Sequence, residues 1–84
     1  MIISFGFGQS RPLPAHSKVF DVRDLTHNEK SPAFVAKVQE ILEYSREHPA
    51  ETICIGCKLG KHRSVKIAEQ VAKALRRSVF HRDQ

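Results

Sequence analysis

The 84 residues leave room for one small domain and exclude a second. A hydrophobic content of 40% with 27% charged residues excludes an intrinsically disordered chain, and no apolar run approaches the ~20 residues of a membrane span. The net charge of +5 calls for a polyanionic partner, and nucleic acid and a phosphorylated small molecule meet that demand equally well.

A domain of this size buries only roughly 60% of its unfolded surface, so modest stability and a homo-oligomer are both compatible with the chain. Met1-Ile-Ile-Ser-Phe starts apolar but has no basic leader or cleavage site, so the expected compartment is the cytoplasm.

Residues 2–7 alternate as a first strand, and the following Gly8-Gln-Ser-Arg-Pro-Leu-Pro is a loop held open by two prolines. Gly6 to Arg11 would line a ligand if the strand end lies beside a binding site. Residues 19–24 form the second strand, with Val19, Asp21 and Arg23 on one face and Phe20, Val22 and Asp24 on the other. The carboxylate of Asp21 and the guanidinium of Arg23 suit either a structural ion pair or the polar wall of a site.

Leu25 to Lys30 is a polar connection. Ser31-Pro32 then starts a helix, with a capping hydroxyl followed by a proline at the first helical position. Phe34, Val35, Val38, Ile41 and Leu42 make its apolar stripe, and His48-Pro49 ends it. Residues 51–57 return as a third strand, and a second helix over 65–77 buries Val65, Ala68, Val71, Ala72 and Leu75 while exposing Lys66, Lys73, Arg76 and Arg77. Ser78-Val-Phe-His-Arg is a fourth strand. The fold expected is α/β, a small single-domain sandwich of order β-β-α-β-α-β over residues 1–84.

Between the third strand and the second helix runs Cys57-Lys-Leu-Gly-Lys-His-Arg-Ser64, a glycine-bearing basic loop that opens a helix. It reads as a phosphate cradle. The first-turn amides of a helix have no intrahelical acceptors, Gly60 permits close approach of the backbone, and Lys58, Lys61 and Arg63 add positive charge. The helix end contributes roughly 0.3–1 kcal/mol and a hydrogen bond to a charged partner about 1.5–3 kcal/mol, so Arg63, reserved for the external ligand, carries most of the affinity.

Cys57 and Arg63 are separated by five residues with Ser64 following, the Cys-x2-Gly-x2-Arg-Ser pattern of protein tyrosine phosphatases. In such a loop the surrounding positive charge lowers the thiol pKa and the thiolate attacks phosphorus, with Asp21 or Asp24 as general acid. The alternative is a cysteine that closes a buried strand above a loop that only binds. The Cys54-x-x-Cys57 spacing suggests no redox pair, because positions three apart in a strand face opposite ways. No His, Cys, Asp or Glu cluster has metal-ligand spacing, so neither metal nor cofactor is expected.

Ser4-Phe-Gly-Phe, Val19-Phe-Asp-Val-Arg, Ile55-Gly-Cys, Gly60-Lys-His-Arg-Ser-Val, Ile67-Ala-Glu-Gln and the terminal His81-Arg82 together resemble, in order, the C-terminal domain of the RapZ family. The resemblance implies a domain that binds a phosphorylated metabolite, such as glucosamine 6-phosphate, and that contacts RNA and protein partners. No Gly-x4-Gly-Lys-Ser/Thr occurs, so the family's N-terminal P-loop half is expected to be absent. The expected site is Cys57, Lys58, Leu59, Gly60, Lys61, His62, Arg63 and Ser64, with Asp21, Arg23, His81 and Arg82 shaping the rest. The competing readings are a cysteine-dependent phosphatase using Cys57, Arg63 and Asp24, and an RNA-binding module using the basic helix face.

Overall fold

Six elements follow one another in the computed structural model: β1 (Ile2–Gly6), β2 (Lys18–Asp21), α1 (Pro32–Glu47), β3 (Ile53–Cys57), α2 (Arg63–Leu75) and β4 (Val79–His81). The order is the expected one. The structure describes residues 1–9, 11–25 and 28–84, so Ser10 in the first loop and Thr26 and His27 in the polar connection lie outside the described residues.

All four strands are parallel, in the spatial order β2-β3-β1-β4. The register sets Ile2 beside Ile53 and Gly6 beside Cys57, while Ser4 pairs with His81 across the β1–β4 edge. Both β1 and β3 are central and buried along their whole length; the apolar run of β3 fits this, whereas β1, expected to alternate, is buried on both faces because α2 packs on one side and Leu13 lies against the cluster on the other.

One core cluster joins Ile2, Phe20, Val22, Ile53, Ile55 and Cys57 of the sheet side to Phe34, Val38, Ile41 and Leu42 of α1 and Ile67, Ala68, Val71 and Ala72 of α2. Both helices therefore cover the same face, and the sandwich has two layers. The opposite face carries a smaller cluster of Ile3, Phe5 and Cys54 with Leu13 against it, and leaves Val19 and Phe80 exposed.

Ser31 caps α1 as expected, its hydroxyl accepting from the Phe34 amide, and His48 closes it. Several details of the helical patterns differ. Val35 is 48% exposed, because the stripe narrows to i, i+4, i+7 and i+8 from Phe34, and Ile67 is fully buried in α2 where the pattern had not placed it. Arg77 is half-buried rather than exposed, donating to the Ser45 carbonyl of α1. Helix α2 ends at Leu75, and Arg76 takes the left-handed conformation that closes it (φ 54°).

Candidate functional site at the carboxyl end of the sheet

A parallel sheet puts the carboxyl ends of all its strands on one side, and four segments converge there: the residues after Gly6, after Asp21, after Cys57 and after His81. The loop from Cys57 to Arg63 is central among them. Its path is fixed by backbone contacts to the β1 end, where the Phe7 amide donates to the Cys57 carbonyl (2.8 Å) and the Gly8 amide to that of Lys58 (3.0 Å).

The loop curls back on its own cysteine. The Gly60 amide donates to Cys57 Sγ (3.2 Å), and the Ser64 hydroxyl lies 3.1 Å from the same sulfur. Burial pushes the Cys57 thiol up, but the hydroxyl and amide of Ser64 and the amides of Gly60 and His62 outweigh it, so the thiol pKa falls below its ordinary value. The expected source of that lowering was the surrounding positive charge. The observed one is chiefly the ring of donors, which is what an inward-curled loop at a helix start supplies. His62 holds the N-cap position of α2, and its side chain makes no capping hydrogen bond.

Cys57, Lys58, Leu59, Lys61, His62 and Arg63 line a cleft of about 160 Å³. Lys58, Leu59 and Lys61 are exposed there, and Ser64, beside Cys57, is fully buried. Arg63 is divided between two tasks. Its Nη1 donates to the carbonyls of Arg23 (2.5 Å) and Leu25 (2.9 Å), which locks the β2 end to the start of α2. Its Nε is buried with no hydrogen-bond partner among the described residues. Arg77 Nη1 is in the same condition, but only Arg63 lines the cleft.

The other expected site residues are placed differently. Asp21 and Arg23 bind one another through three contacts of 2.6–3.1 Å, the hydrogen bonds from Arg23 hold the Asp21 carboxyl below its usual range, and the guanidinium stacks 4.1 Å from the Phe7 ring. Asp21 points to the face away from the helices. Asp24 is exposed in the turn whose carbonyls hold Arg63.

His81 sits between Ser4 Oγ (2.6 Å from Nδ1) and Glu69 (3.1 Å from Nε2), giving the buried Ser4 hydroxyl a partner. Arg82 chelates Asp83 (2.8 Å), reaches the carbonyls of Gly6 and Arg11, and lies over the Phe5 ring. Arg82 thus ties the end of β1 to the residues that follow it, and His81 ties β1 to α2.

Asp83 was missed by the sequence reading, which stopped at Arg82. Its carboxylate, with the side chain 2% exposed, accepts from the Gly6 amide (2.7 Å) directly beneath Gly60. A lone acid next to the chain end carries no periodic signal; only the alternating charge of Arg82-Asp83 hinted at it.

A larger depression of about 360 Å³ lies at the amino end of the strands, lined by His16, His48, Pro49, Ala50 and Glu51. Glu51 there is already engaged by the Tyr44 hydroxyl (2.8 Å). Among the described residues no group of three or more His, Cys, Asp or Glu side chains could hold a metal ion, and no helix is long and apolar enough to cross a membrane.

Compared with known protein families, residues 25–84 match the RapZ C-terminal domain. The chain belongs to that family. A protein of Acidobacterium capsulatum is 37% identical over 87 aligned positions, covering 89% of this chain and 28% of the relative, and one of Caldicellulosiruptor bescii is 32% identical, covering 98% and 40%. Both carry the name "Nucleotide-binding protein". The chain thus spans less than half the length of the curated relatives it matches. The second alignment runs over 116 positions, more than this chain has residues, so that relative carries inserted sequence. In this RapZ C-terminal domain the matched part includes the whole Cys57–Ser64 loop and Asp83.

Proposed function

We propose that this RapZ C-terminal domain binds a phosphorylated small molecule, a sugar phosphate or a nucleotide-like ligand, with its phosphate in the Cys57–Ser64 loop. The observation that carries the reading is Arg63, which lines a basic cleft and whose buried Nε has no hydrogen-bond acceptor among the described residues. A buried donor left unsatisfied costs about 1–3 kcal/mol, which a phosphate oxygen would remove while adding a charge-assisted bond. The donors gathered around Cys57 and the lysines that line the cleft favour the same charge. The names of the relatives agree with a nucleotide-like ligand. A sensor, adapter or sequestering role would follow from binding without turnover.

Calorimetric titration of inorganic phosphate, a sugar phosphate and a mononucleotide into the parent protein and Arg63→Ala tests this. The parent should bind at least one phosphorylated compound, and the variant should lose that binding. Equal affinity in the two proteins, or no binding of any of them by the parent, would overturn the reading. Arg63→Lys should rescue poorly, because an ammonium cannot hold the Arg23 and Leu25 carbonyls and a phosphate together.

A further inference from the structure

The binding site includes a nucleophile. Cys57 and Arg63 are both among the residues that line the cleft, and Cys57 Sγ accepts from the Gly60 amide with the Ser64 hydroxyl 3.1 Å away. Donors that would hold phosphoryl oxygens therefore also hold a thiolate, so sulfur and phosphorus would meet in one cradle of about 160 Å³.

We propose that Cys57 is a catalytic nucleophile and that the domain hydrolyses phosphate monoesters with good leaving groups through a phosphocysteine. The inference rests on the phosphate-binding reading above. In the first step the Cys57 thiolate attacks phosphorus, an S–P bond forms, the P–O bond to the leaving group breaks, and its electron pair departs with the leaving oxygen. In the second, a water oxygen attacks the phosphocysteine, the S–P bond breaks with its pair returning to sulfur, and the water proton passes to solvent as inorganic phosphate leaves. Arg63 would hold an equatorial phosphoryl oxygen through both.

The restriction to good leaving groups follows from the placement of the acids. Asp21 is committed to Arg23 on the far face of the sheet, and Asp24 is exposed in the β2–α1 turn, where no bond among the described residues aims it at the cleft. Phenolate leaves without a proton, whereas an alkoxide does not, so an aryl phosphate should turn over and an alkyl phosphate such as a sugar phosphate should be bound and left intact.

The test uses p-nitrophenyl phosphate with the full chain. The parent should release p-nitrophenolate, Cys57→Ser should lower that rate by about a thousandfold or more, and Cys54→Ala, which removes the thiol on the opposite face of β3, should keep it. Acid quench of the parent followed by peptide mass spectrometry should find one phosphoryl group on the peptide carrying Cys57; this arm needs no variant to fold. Arg63-dependent phosphate binding without cysteine-dependent release and without the phosphopeptide would overturn the catalytic inference alone. Loss of phosphate binding in the parent's calorimetry would overturn the reading beneath it.

Discussion

Gly60 and Gly6 meet backbone to backbone beneath the loop, so that neither has space for a side chain. A Cβ on Gly60 would lie 2.6 Å from the Gly6 nitrogen and 2.7 Å from the Phe5 carbonyl carbon, and one on Gly6 would lie 2.4 Å from the Leu59 carbonyl carbon. The atoms in the way are backbone, which cannot swing aside. The loop therefore rests directly on the end of β1, and this fixes the height at which Cys57, Arg63 and the loop amides face the cleft.

Gly60→Ala should damage both stability and binding. The position has φ +75°, a conformation that costs a side chain about 1–3 kcal/mol before any clash is added. Gly8→Ala is the comparison, since its Cβ would meet only the Lys58 carbonyl oxygen at 3.2 Å. Denaturant unfolding should show a clearly larger loss for Gly60→Ala than for Gly8→Ala; equal losses would mean that the Gly6–Gly60 contact does not hold the loop.

Asp83→Asn should destabilise by about 1–3 kcal/mol at neutral pH, because the Gly6 amide and the Arg82 guanidinium then share a neutral acceptor. The effect has a defined pH sign. Hydrogen bonds from Arg82 hold the Asp83 carboxyl below its usual range, so its contribution is full above the unfolded value near 3.9 and disappears as pH falls through the folded one. The melting temperatures of parent and variant should be well separated at pH 7 and converge below about pH 4. A gap unchanged down to strongly acid pH would show that the carboxylate charge is not what stabilises the contact.

The two cysteines should titrate apart. Burial in the small cluster pushes the Cys54 thiol up, whereas the donors around Cys57 outweigh its burial and bring that thiol down. Thiolate absorbance in the ultraviolet should rise in two steps with pH, Cys54→Ala should remove the later step, and Ser64→Ala should move the earlier one upward. A single step at the ordinary thiol value would contradict the loop geometry.

Why the loop was legible in the sequence and its supports were not follows from the range of the contacts. Cys57, Gly60, Arg63 and Ser64 lie within one short segment between a strand and a helix, so their spacing states their geometry. The two-sided burial of β3 and the start of α1 are also local signals, whereas that of β1, which alternates as a sequence, depends on what packs on each face. By contrast, the attachment of Arg63 to the carbonyls of Arg23 and Leu25 and that of Asp83 to the Gly6 amide span 38 to 77 residues and use backbone groups, which carry no residue identity. The Asp21–Arg23 ion pair was one of the two readings their spacing offered, whereas His81 and Arg82 were legible as polar residues near a strand end but not as residues already satisfied by internal partners.

Salt dependence separates a pocketed phosphate from nucleic acid. RNA spread over a basic helix face releases counterions, and its affinity falls by a slope of about −0.7 per phosphate contact for single strands, whereas one phosphate in a cleft responds weakly. The helix face is also less available than its composition suggests. Arg77 is directed to the Ser45 carbonyl and Lys66 lies 3.6 Å from Glu29, so Lys73 and Arg76 are the basic groups of that face, among the described residues, without a described ion pair or buried bond. Lys66→Gln, Lys73→Gln and Arg76→Gln combined should leave phosphate binding within about twofold of the parent and keep its shallow salt response, because none of the three lines the Cys57–Arg63 cleft. If the triple variant loses the main binding activity while Arg63→Ala retains it, and the salt slope corresponds to several phosphates, the functional surface is the helix and its partner is RNA.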